Sequence, residues 1–411
     1  MKLLRPKVAW PAAAASLLLA VGLVGYAGAA GQTVLAPAAT GFGVAPYVDM
    51  TNNQEPMPPA AISGAGLKAF TAAFVIGAGC TPIWGDTLPV SNDPTVNGEI
   101  SAAVSAGAQA IVSFGGAGGV ELAQSCTNTS SLTAAYQSVV NTLHVNHIDF
   151  DVEGAAIADP TSVNNRFAAI RSLESANPGL VVSVTIPVLP NGPDNNGQAF
   201  LQAAKNDGAR IDLINIMTMD YYGSWDGNPT MGPYATQAAT ATLNVARGLW
   251  PSDTYGNIGI TPMIGQNDDA AEIFSENDAH TVVNFASANG IGRLAFWSVD
   301  RDQPCGGGVS GLPSCTNISQ SKLDFSKIFD SYNGGGGGGT PPPTTTTTTT
   351  TTPPGGGGGC AGVAAWSVNT SYVPGNVVSY NGHKWTSLYW STGVTPGSPI
   401  AWNIWQDNGA C

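Results

Sequence analysis

Eight short apolar runs, each followed by a segment long enough for a helix, constrain this chain more than any other feature. The runs are Gly41–Tyr47, Phe70–Ile76, Ala110–Phe114, His147–Glu153, Leu180–Ile186, Leu213–Met219, Ile258–Met263 and Leu294–Trp297. Intervening pieces such as Pro160–Ala176 and Ala279–Asn289 carry the apolar spacing of amphipathic helices. Alternating strands and helices predict a parallel sheet covered by helices. Eight such units predict an α/β fold, a (β/α)8 barrel over residues 40–333. The alternative is an open doubly wound sheet, which would often carry a Gly-rich nucleotide loop. Gly115-Gly116-Ala117-Gly118-Gly119 is the candidate, and it lacks both the G-x-G-x-x-G frame and a suitably placed acid.

The fourth run ends in acid. Ile148, Phe150 and Val152 alternate with Asp149, Asp151 and Glu153. Side chains two apart on a strand share a face, so three carboxylates form one row above an apolar back. Like charges on a buried strand repel, and such a row serves proton chemistry or the binding of a cation. Active residues of a barrel sit at the C-terminal ends of its strands. Here those ends carry Tyr47, Ser113, Glu153, Met219, Asp220, Tyr221, Gln266, Asn267 and Trp297. A polar and aromatic set around a central acid has the character of a carbohydrate cleft.

Outside the barrel the chain changes composition. A basic start, an apolar stretch from Val8 to about Tyr26 and Ala27-Gly28-Ala29 read as a secretory signal peptide over residues 1–29; a retained membrane anchor is the alternative. Residues 30–39 form a flexible lead-in, and 334–359, built of Gly, Pro and Thr runs, a linker. Residues 360–411 form a small separate module. The expected product is a secreted, extracellular monomer. Six cysteines in an exported chain read as disulfides, and nearest-neighbour pairing gives Cys80–Cys126, Cys305–Cys315 and Cys360–Cys411. No metal is expected: there is no C-x-x-C pair, and His144, His147, His280 and His383 are scattered. No cofactor is expected either. A net charge of −13 argues against nucleic acid and anionic membranes and favours a neutral polymer.

Asp149-Phe150-Asp151-Val152-Glu153 resembles the D-x-D-x-E signature of family 18 glycoside hydrolases, the chitinases. Ser113-Phe114-Gly115-Gly116 resembles their S-x-G-G motif on the third strand, and Trp297 is similar to the tryptophan that floors their central sugar subsite. The resemblance covers the whole large domain. It implies a retaining cleavage in which the substrate's own N-acetyl group acts as nucleophile. Glu153 is then the proton donor, Asp151 the holder of the acetamido group and Asp149 the deeper modulator. Chitin and N-acetylglucosamine oligomers become the implied partners.

Two departures stand out. Asn146 replaces the Asp that opens the fuller signature, low on the strand, where a structural effect is expected. On the sixth strand, Met219 stands where many members place a substrate-binding Tyr. Period-2 alternation puts Met217, Met219 and Tyr221 on one face, so Tyr221 is expected to supply the hydroxyl from one step nearer the mouth. For Met217 and Met219 core packing is the plain alternative. Between the last two runs there is room for little more than one helix, which predicts an open groove and endo-type cutting.

The small module is rich in Trp and Tyr. Val373–Gly382 reads as a hairpin with Asn381-Gly382 as its turn. It resembles the carbohydrate-binding modules of families 5 and 12, which carry a paired-aromatic motif. Tyr389 and Trp390 occupy the pair here, and with Trp405 they are the expected binding rings; Trp366, Trp385 and Tyr380 are expected in the core. An endo-β-N-acetylglucosaminidase acting on glycoprotein glycans and a non-catalytic chitin-binding protein remain as alternative functions.

Overall fold

A computed structural model describes residues 42–52, 57–85, 88–225 and 231–332. In the C-terminal part it describes 360, 362–367, 370–372, 376–387, 391–392, 395–397 and 405–411. The chain forms two compact units, one within residues 1–338 and one within 339–411. The signal-peptide segment, the lead-in and the linker read from the sequence lie outside the described residues.

In the first unit the strands are β1 (Tyr47–Asp49), β2 (Ala69–Ala78), β3 (Gln109–Gly115), β4 (His147–Asp151), β5 (Val181–Pro187), β6 (Leu213–Met217), β7 (Ile258–Thr261) and β8 (Arg293–Leu294). Each pairs in parallel with the next. The sheet curls back on itself. Leu294 N–H donates to Gly43 O (2.8 Å), Ala45 N–H to Leu294 O (2.9 Å) and Tyr47 N–H to Phe296 O (3.0 Å), joining the last strand to the chain entering the first. This is the parallel arrangement of a (β/α)8 domain. The first apolar run, Gly41–Tyr47, overlaps β1 at Tyr47 alone; of its other described residues, Gly43 and Ala45 bond to the β8 segment and Pro46 O accepts the Thr71 N–H of β2. Two short antiparallel pieces were not legible in the sequence: Thr81–Trp84 folds back on β2, and Ile273–Phe274 pairs with Gly265–Gln266.

The helices that follow the strands are α1 (Met57–Ala65), α2 (Pro94–Ser105), α3 (Thr129–Leu143), α4 (Pro160–Ala176), α5 (Asn195–Asp207), α6 (Met231–Leu249), α7 (Glu276–Asn289) and α8 (Asp324–Asp330). Local chemistry sets their starts. Asp93, Asn128, Asp159, Asp194 and Ser275 each accept a backbone N–H of the first turn, and Pro94 and Pro160 occupy first-turn positions where no intrahelical N–H is needed. α4 buries Val163, Phe167, Ile170 and Leu173. Each such side chain contributes about 1.5–3 kcal/mol on leaving water.

The strands sort their residues by face. Ile148 and Phe150 of β4, Val182 and Val184 of β5 and Ile214 and Ile216 of β6 join the main apolar core. The alternate residues, Asp149, Ser183, Thr185 and Asn215, are equally buried but hydrogen-bond to one another. The barrel thus has an apolar shell outside the sheet and a polar network inside it.

The two glycines after Ser113 have a steric cause. Gly115 lies at φ 105°, and a Cβ there would stand 2.0 Å from the carbonyl oxygen of Asp151. Gly116 lies at φ 83°, where a Cβ would meet the Phe74 ring at 2.5 Å. Both let β3 leave the sheet tightly beside β4. The Cys80–Cys126 disulfide ties the loops that follow β2 and β3, and Cys305–Cys315 closes the loop beyond β8.

In the second unit, Val377–Tyr380 and His383–Ser387 form a hairpin, with Asn381 and Gly382 both at positive φ (49° and 77°), as a type I′ turn needs. Trp405–Ala410 adds a third antiparallel strand, and the Cys360–Cys411 disulfide ties its end. Tyr372, Val378 and Trp405 make the core, with Trp366 and Trp385 packed on it. This corrects the expectation for Trp405. It is 3% exposed, and its ring packs edge-on to Tyr372 at 5.2 Å, because its strand register opposite Ser387 turns it inward. Tyr389 and Trp390 lie outside the described residues.

Gly115→Ala is expected to cost more than about 3 kcal/mol, lowering the melting temperature by roughly 5–10 °C, since both the backbone conformation and the contact with β4 oppose a side chain. A thermal melt of the variant checks this.

Candidate active site

The row begins below the mouth of the barrel. Asp149 is fully buried and its two oxygens meet hydroxyl groups alone. Ser183 Oγ donates to Oδ1 at 2.5 Å and Ser113 Oγ to Oδ2 at 2.8 Å. Thr185 Oγ1 lies 3.0 Å from both oxygens and the Tyr47 hydroxyl 3.0 Å from Oδ2. Asn215 Nδ2 donates to Thr185 and Tyr47 (3.1 and 3.3 Å), which frees their hydrogens to point at Asp149. Thr261 Oγ1 donates to Asn215 Oδ1 at 2.9 Å and fixes that amide. Four converging donors match the capacity of an ionised carboxylate, an acceptor-only group.

Above it, the Asp151 and Glu153 carboxyls act on each other, and Asp151 Oδ1 is buried without a hydrogen-bond partner. Burial raises the Asp151 carboxyl well above the usual range, and the neighbouring charges of Glu153 and Asp149 add to this. Glu153 is pushed up to about 7, first by burial and then by Asp220, with Asp151 opposing. Both carboxyls therefore hold protons to higher pH than free ones, and they titrate as a pair. Glu153 sits where β4 has ended and the short helix Gly154–Ala158 begins, so its carboxyl is delivered to the rim rather than the core.

A cleft of about 310 Å³ opens over this pair. Tyr47, Phe74 and Trp297 form its aromatic side, Phe74 and Trp297 stacking at 5.6 Å and 14°. Met217, Met219 and Met263 face them, and Asp220 and Asp268 bring further negative charge. A second hollow of about 260 Å³ shares Asp49, Phe74, Ala117 and Trp297 with the first and continues toward Gly118 and Gly119. Polar acids beside flat rings suit a sugar, whose hydroxyls need partners and whose ring faces are apolar.

Of the residues expected from sequence, Glu153, Asp151, Tyr47, Met217, Met219, Asp220 and Trp297 line this cleft. Asp149 and Ser113 lie beneath it, joined to each other. Three expected residues do not line it. Tyr221 is buried against Tyr234 (6.0 Å, edge-on). The expectation assumed strand alternation through Tyr221, but β6 stops at Met217 and Asp220 takes φ 48°, which turns the chain away. Asn267 is fully buried, donating to Met263 O and Gly265 O and accepting the Asp220 N–H; it braces the loop. Gln266 accepts from Asn317 Nδ2 at 2.5 Å. Past the end of β7, sequence position alone does not decide which side chain turns inward.

Sequence reasoning missed Phe74, Asp49, Asp268 and Arg301. Regular alternation would place Phe74 with Phe70 and Ala72 on the outer core; a register shift between Ala72 and Val75 turns it inward, beside Tyr47 and Trp297. Arg301 had no local signal. It donates to Ile264 O (3.0 Å) and Gln266 O (2.5 Å), and burial holds it down at about 10 against the pull of Asp268 and Asp220. Among the described residues no group of three or more His, Cys, Asp or Glu side chains is arranged to hold a metal ion.

A parallel barrel with two raised carboxyls at a strand end, beside an aromatic wall, suits the chemistry of glycoside cleavage. Residues 62–251 match the family model "Glycosyl hydrolases family 18". The chain is 33% identical over 303 residues to a probable bifunctional chitinase/lysozyme of Escherichia coli (strain K12), covering 69% of this chain and 34% of that protein. It is 32% identical over 274 residues to Endochitinase 11 of Metarhizium anisopliae, covering 63% of this chain and 52% of that protein. The chain thus spans about a third and about half of these two relatives. Its fold is similar to active domain 2 of a chitinase from Pyrococcus furiosus, with a TM-score of 0.63, 29% identity, and coverage of 70% of this chain and 94% of that one.

Two outcomes follow from this geometry. Glu153 takes up its proton more readily folded, at about 7, than at its ordinary value of 4.5, so the folded state binds more protons between those values and stability falls as pH rises through them. Glu153→Gln is therefore expected to raise the melting temperature by a few degrees at about pH 8 and to leave it nearly unchanged at about pH 4; melts at the two pH values measure the difference. Tyr221→Phe, its ring being packed on Tyr234, is expected to leave kcat within about twofold of the parent, as steady-state assays of a folded variant would report.

Proposed function

We propose that the large domain is an endo-acting chitinase that cuts β-1,4 links between N-acetylglucosamine units with retention, through the substrate's own acetamido group. The observation that carries this reading is the carboxyl pair Asp151–Glu153, set at one strand end with both carboxyls raised, in one cleft with the Trp297–Phe74 stack. Two carboxyls on one strand approach the sugar from one side. An ordinary retaining enzyme instead sets its pair about 5–5.5 Å apart across the bond, and family 18 is an exception that uses substrate assistance. The names of the relatives, a chitinase/lysozyme, an endochitinase and a chitinase domain, agree with this reading.

In the first step the acetamido carbonyl oxygen attacks C1 and forms an oxazolinium ion. The C1–O bond to the leaving sugar breaks as Glu153 gives that oxygen its proton. Asp151, turned to the acetamido N–H, holds the group and balances the positive charge. In the second step Glu153, now a carboxylate, takes a proton from water, and the resulting hydroxide attacks C1 and reopens the ring. Burial and Asp220 keep Glu153 protonated to about 7, where a general acid is useful.

Between β7 and β8 the chain forms the ribbon partner Ile273–Phe274 and α7, with no further lobe. That favours an open groove in which a polymer lies lengthwise, with the second hollow taking its continuation. The leader-like N-terminus supports secretion, and the aromatic-rich C-terminal unit supports a carbohydrate-binding role. Asp149, buried below, serves the pair rather than the sugar.

The test is hydrolysis of a chromogenic N-acetylglucosamine oligomer by the parent and by Glu153→Gln, beside cello-oligomers and a high-mannose glycoprotein. The parent is expected to cut the first substrate alone, with turnover declining above about pH 7 as Glu153 loses its proton. Glu153→Gln is expected to lose at least about 10²-fold in kcat. Cutting of cello-oligomers would sink the assisted mechanism, and release of the glycan would favour the glycoprotein-directed alternative.

A further inference from the structure

Below the acid row, at the closed end of the barrel, lies a cation to which neither the motifs nor the cleft assigns a role. Arg293, the first residue of β8, is 1% exposed, and no carboxylate of the described residues stands within 4.0 Å of it. A buried guanidinium without an ion-pair partner is costly, so its surroundings need a reason. Its Nη1 donates to Ser183 Oγ at 3.1 Å and its Nη2 to His147 Nε2 at 2.5 Å.

These two contacts fix the direction of every hydrogen bond around them. Arg has five N–H donors and no acceptor. Ser183 must therefore accept from Arg293, and its own hydrogen goes to Asp149, 2.5 Å away. His147 must likewise accept at Nε2, so its ring is neutral there with its hydrogen on Nδ1. Burial and the adjacent Arg293 charge both hold this imidazole well below its ordinary value. The ring packs edge-on to Phe42 at 4.9 Å, which keeps it in place to receive the guanidinium.

The electrostatics complete the case. The groups facing Asp149 are Tyr47 from β1, Ser113 from β3, His147 and Asp151 from β4, Ser183 and Thr185 from β5, Asn215 from β6 and Arg293 from β8, with Glu153 beyond Asp151. Among these Asp151 and Asp149 repel each other's charge, Tyr47 and His147 are neutral, and Arg293 is the one cation. Burial works against the charge on Arg293, and Asp149 is the main group that favours it. We infer that Arg293 is the remote counter-ion of Asp149, acting through Ser183 as a positioning residue that keeps the row's single working proton on the Asp151–Glu153 pair. The inference rests on the chitinase reading, since it assigns Arg293 to that site's proton inventory.

The consequence is a defined pH effect. A second proton on the row disables it, and a buried positive charge opposes that second proton. Removing the charge lets the row take it up at higher pH. The acid limb of kcat/KM is therefore expected to move upward by about one pH unit in Arg293→Gln, which keeps a donor toward Ser183 but not the charge. Arg293→Lys keeps the charge and should hold the limb near the parent's position. Ser183→Ala leaves Arg293 in place and breaks the link, and should move the limb upward by at least about half a pH unit.

The experiment is the pH profile of kcat/KM on an N-acetylglucosamine oligomer for the parent and the three variants, with a melt of each. An upward shift in Arg293→Gln and Ser183→Ala, absent in Arg293→Lys, is the expected result. A lowered melting temperature with the parent's acid limb in Arg293→Gln would make Arg293 merely structural and overturn the inference. If Arg293→Gln does not fold, an unmoved limb in Ser183→Ala overturns it equally. A parent inactive on the oligomer would instead remove the chitinase reading itself, a different outcome from an active parent whose limb stays fixed.

Discussion

Asp149 is held by hydroxyl groups from its two neighbouring strands and from β1 across the barrel, and the rest of the site depends on that hold. Tyr47, Ser113, Ser183 and Thr185 converge on it from β1, β3 and β5. A buried carboxyl without such partners would cost several kcal/mol; with them it cross-ties the inside of the barrel. Neighbouring strands stand at the ordinary ladder spacing, so short Ser and Thr side chains reach Asp149 from β3 and β5 while the longer Tyr47 spans the barrel. Charge fixed at this depth also sets what lies above it. Asp151 is crowded by Asp149 from below and Glu153 from above, and both carboxyls of the upper pair are pushed toward their protonated forms.

The cleft adds a second, opposing environment. Phe74, Trp297 and three methionines exclude water over the pair, which strengthens every electrostatic effect inside it. Asp220 and Asp268 stand at the rim, and Arg301, also in the cleft wall, offsets part of their charge. The site is thus a stack of charge layers along the barrel axis: Arg293 at the base, then Asp149, then the Asp151–Glu153 pair, then the rim. Fixed dipoles and charges arranged before substrate arrives need little reorganisation during a reaction.

How much of this was legible beforehand depended on distance along the chain. Asp149, Asp151 and Glu153 could be placed on one face because a strand's period is local and regular. The disulfide partners were legible because each pair sits within one compact piece of sequence. Tyr221 failed where the regularity stopped: two left-handed residues, Asp220 and Tyr222, follow β6 and break its alternation. Trp405 failed for another reason. A small domain must fill its core with whatever rings it has, and which ring goes inside is set by the register of its strand against His383–Ser387.

By itself the sequence determined the succession of strands and helices, the row of three carboxyls and the helix starts, since each rests on contacts within a few residues. The tertiary structure alone decided which residues meet across the barrel. It brought Phe74 under Trp297, set Arg301 into the cleft wall, turned Asn267 to brace a loop and placed Arg293 beneath Ser183. Those pairings join residues up to 223 positions apart, counting from Phe74 to Trp297 as 297 − 74. They arise from closing the sheet on itself, which fixes neighbours by strand order and register rather than by separation in sequence.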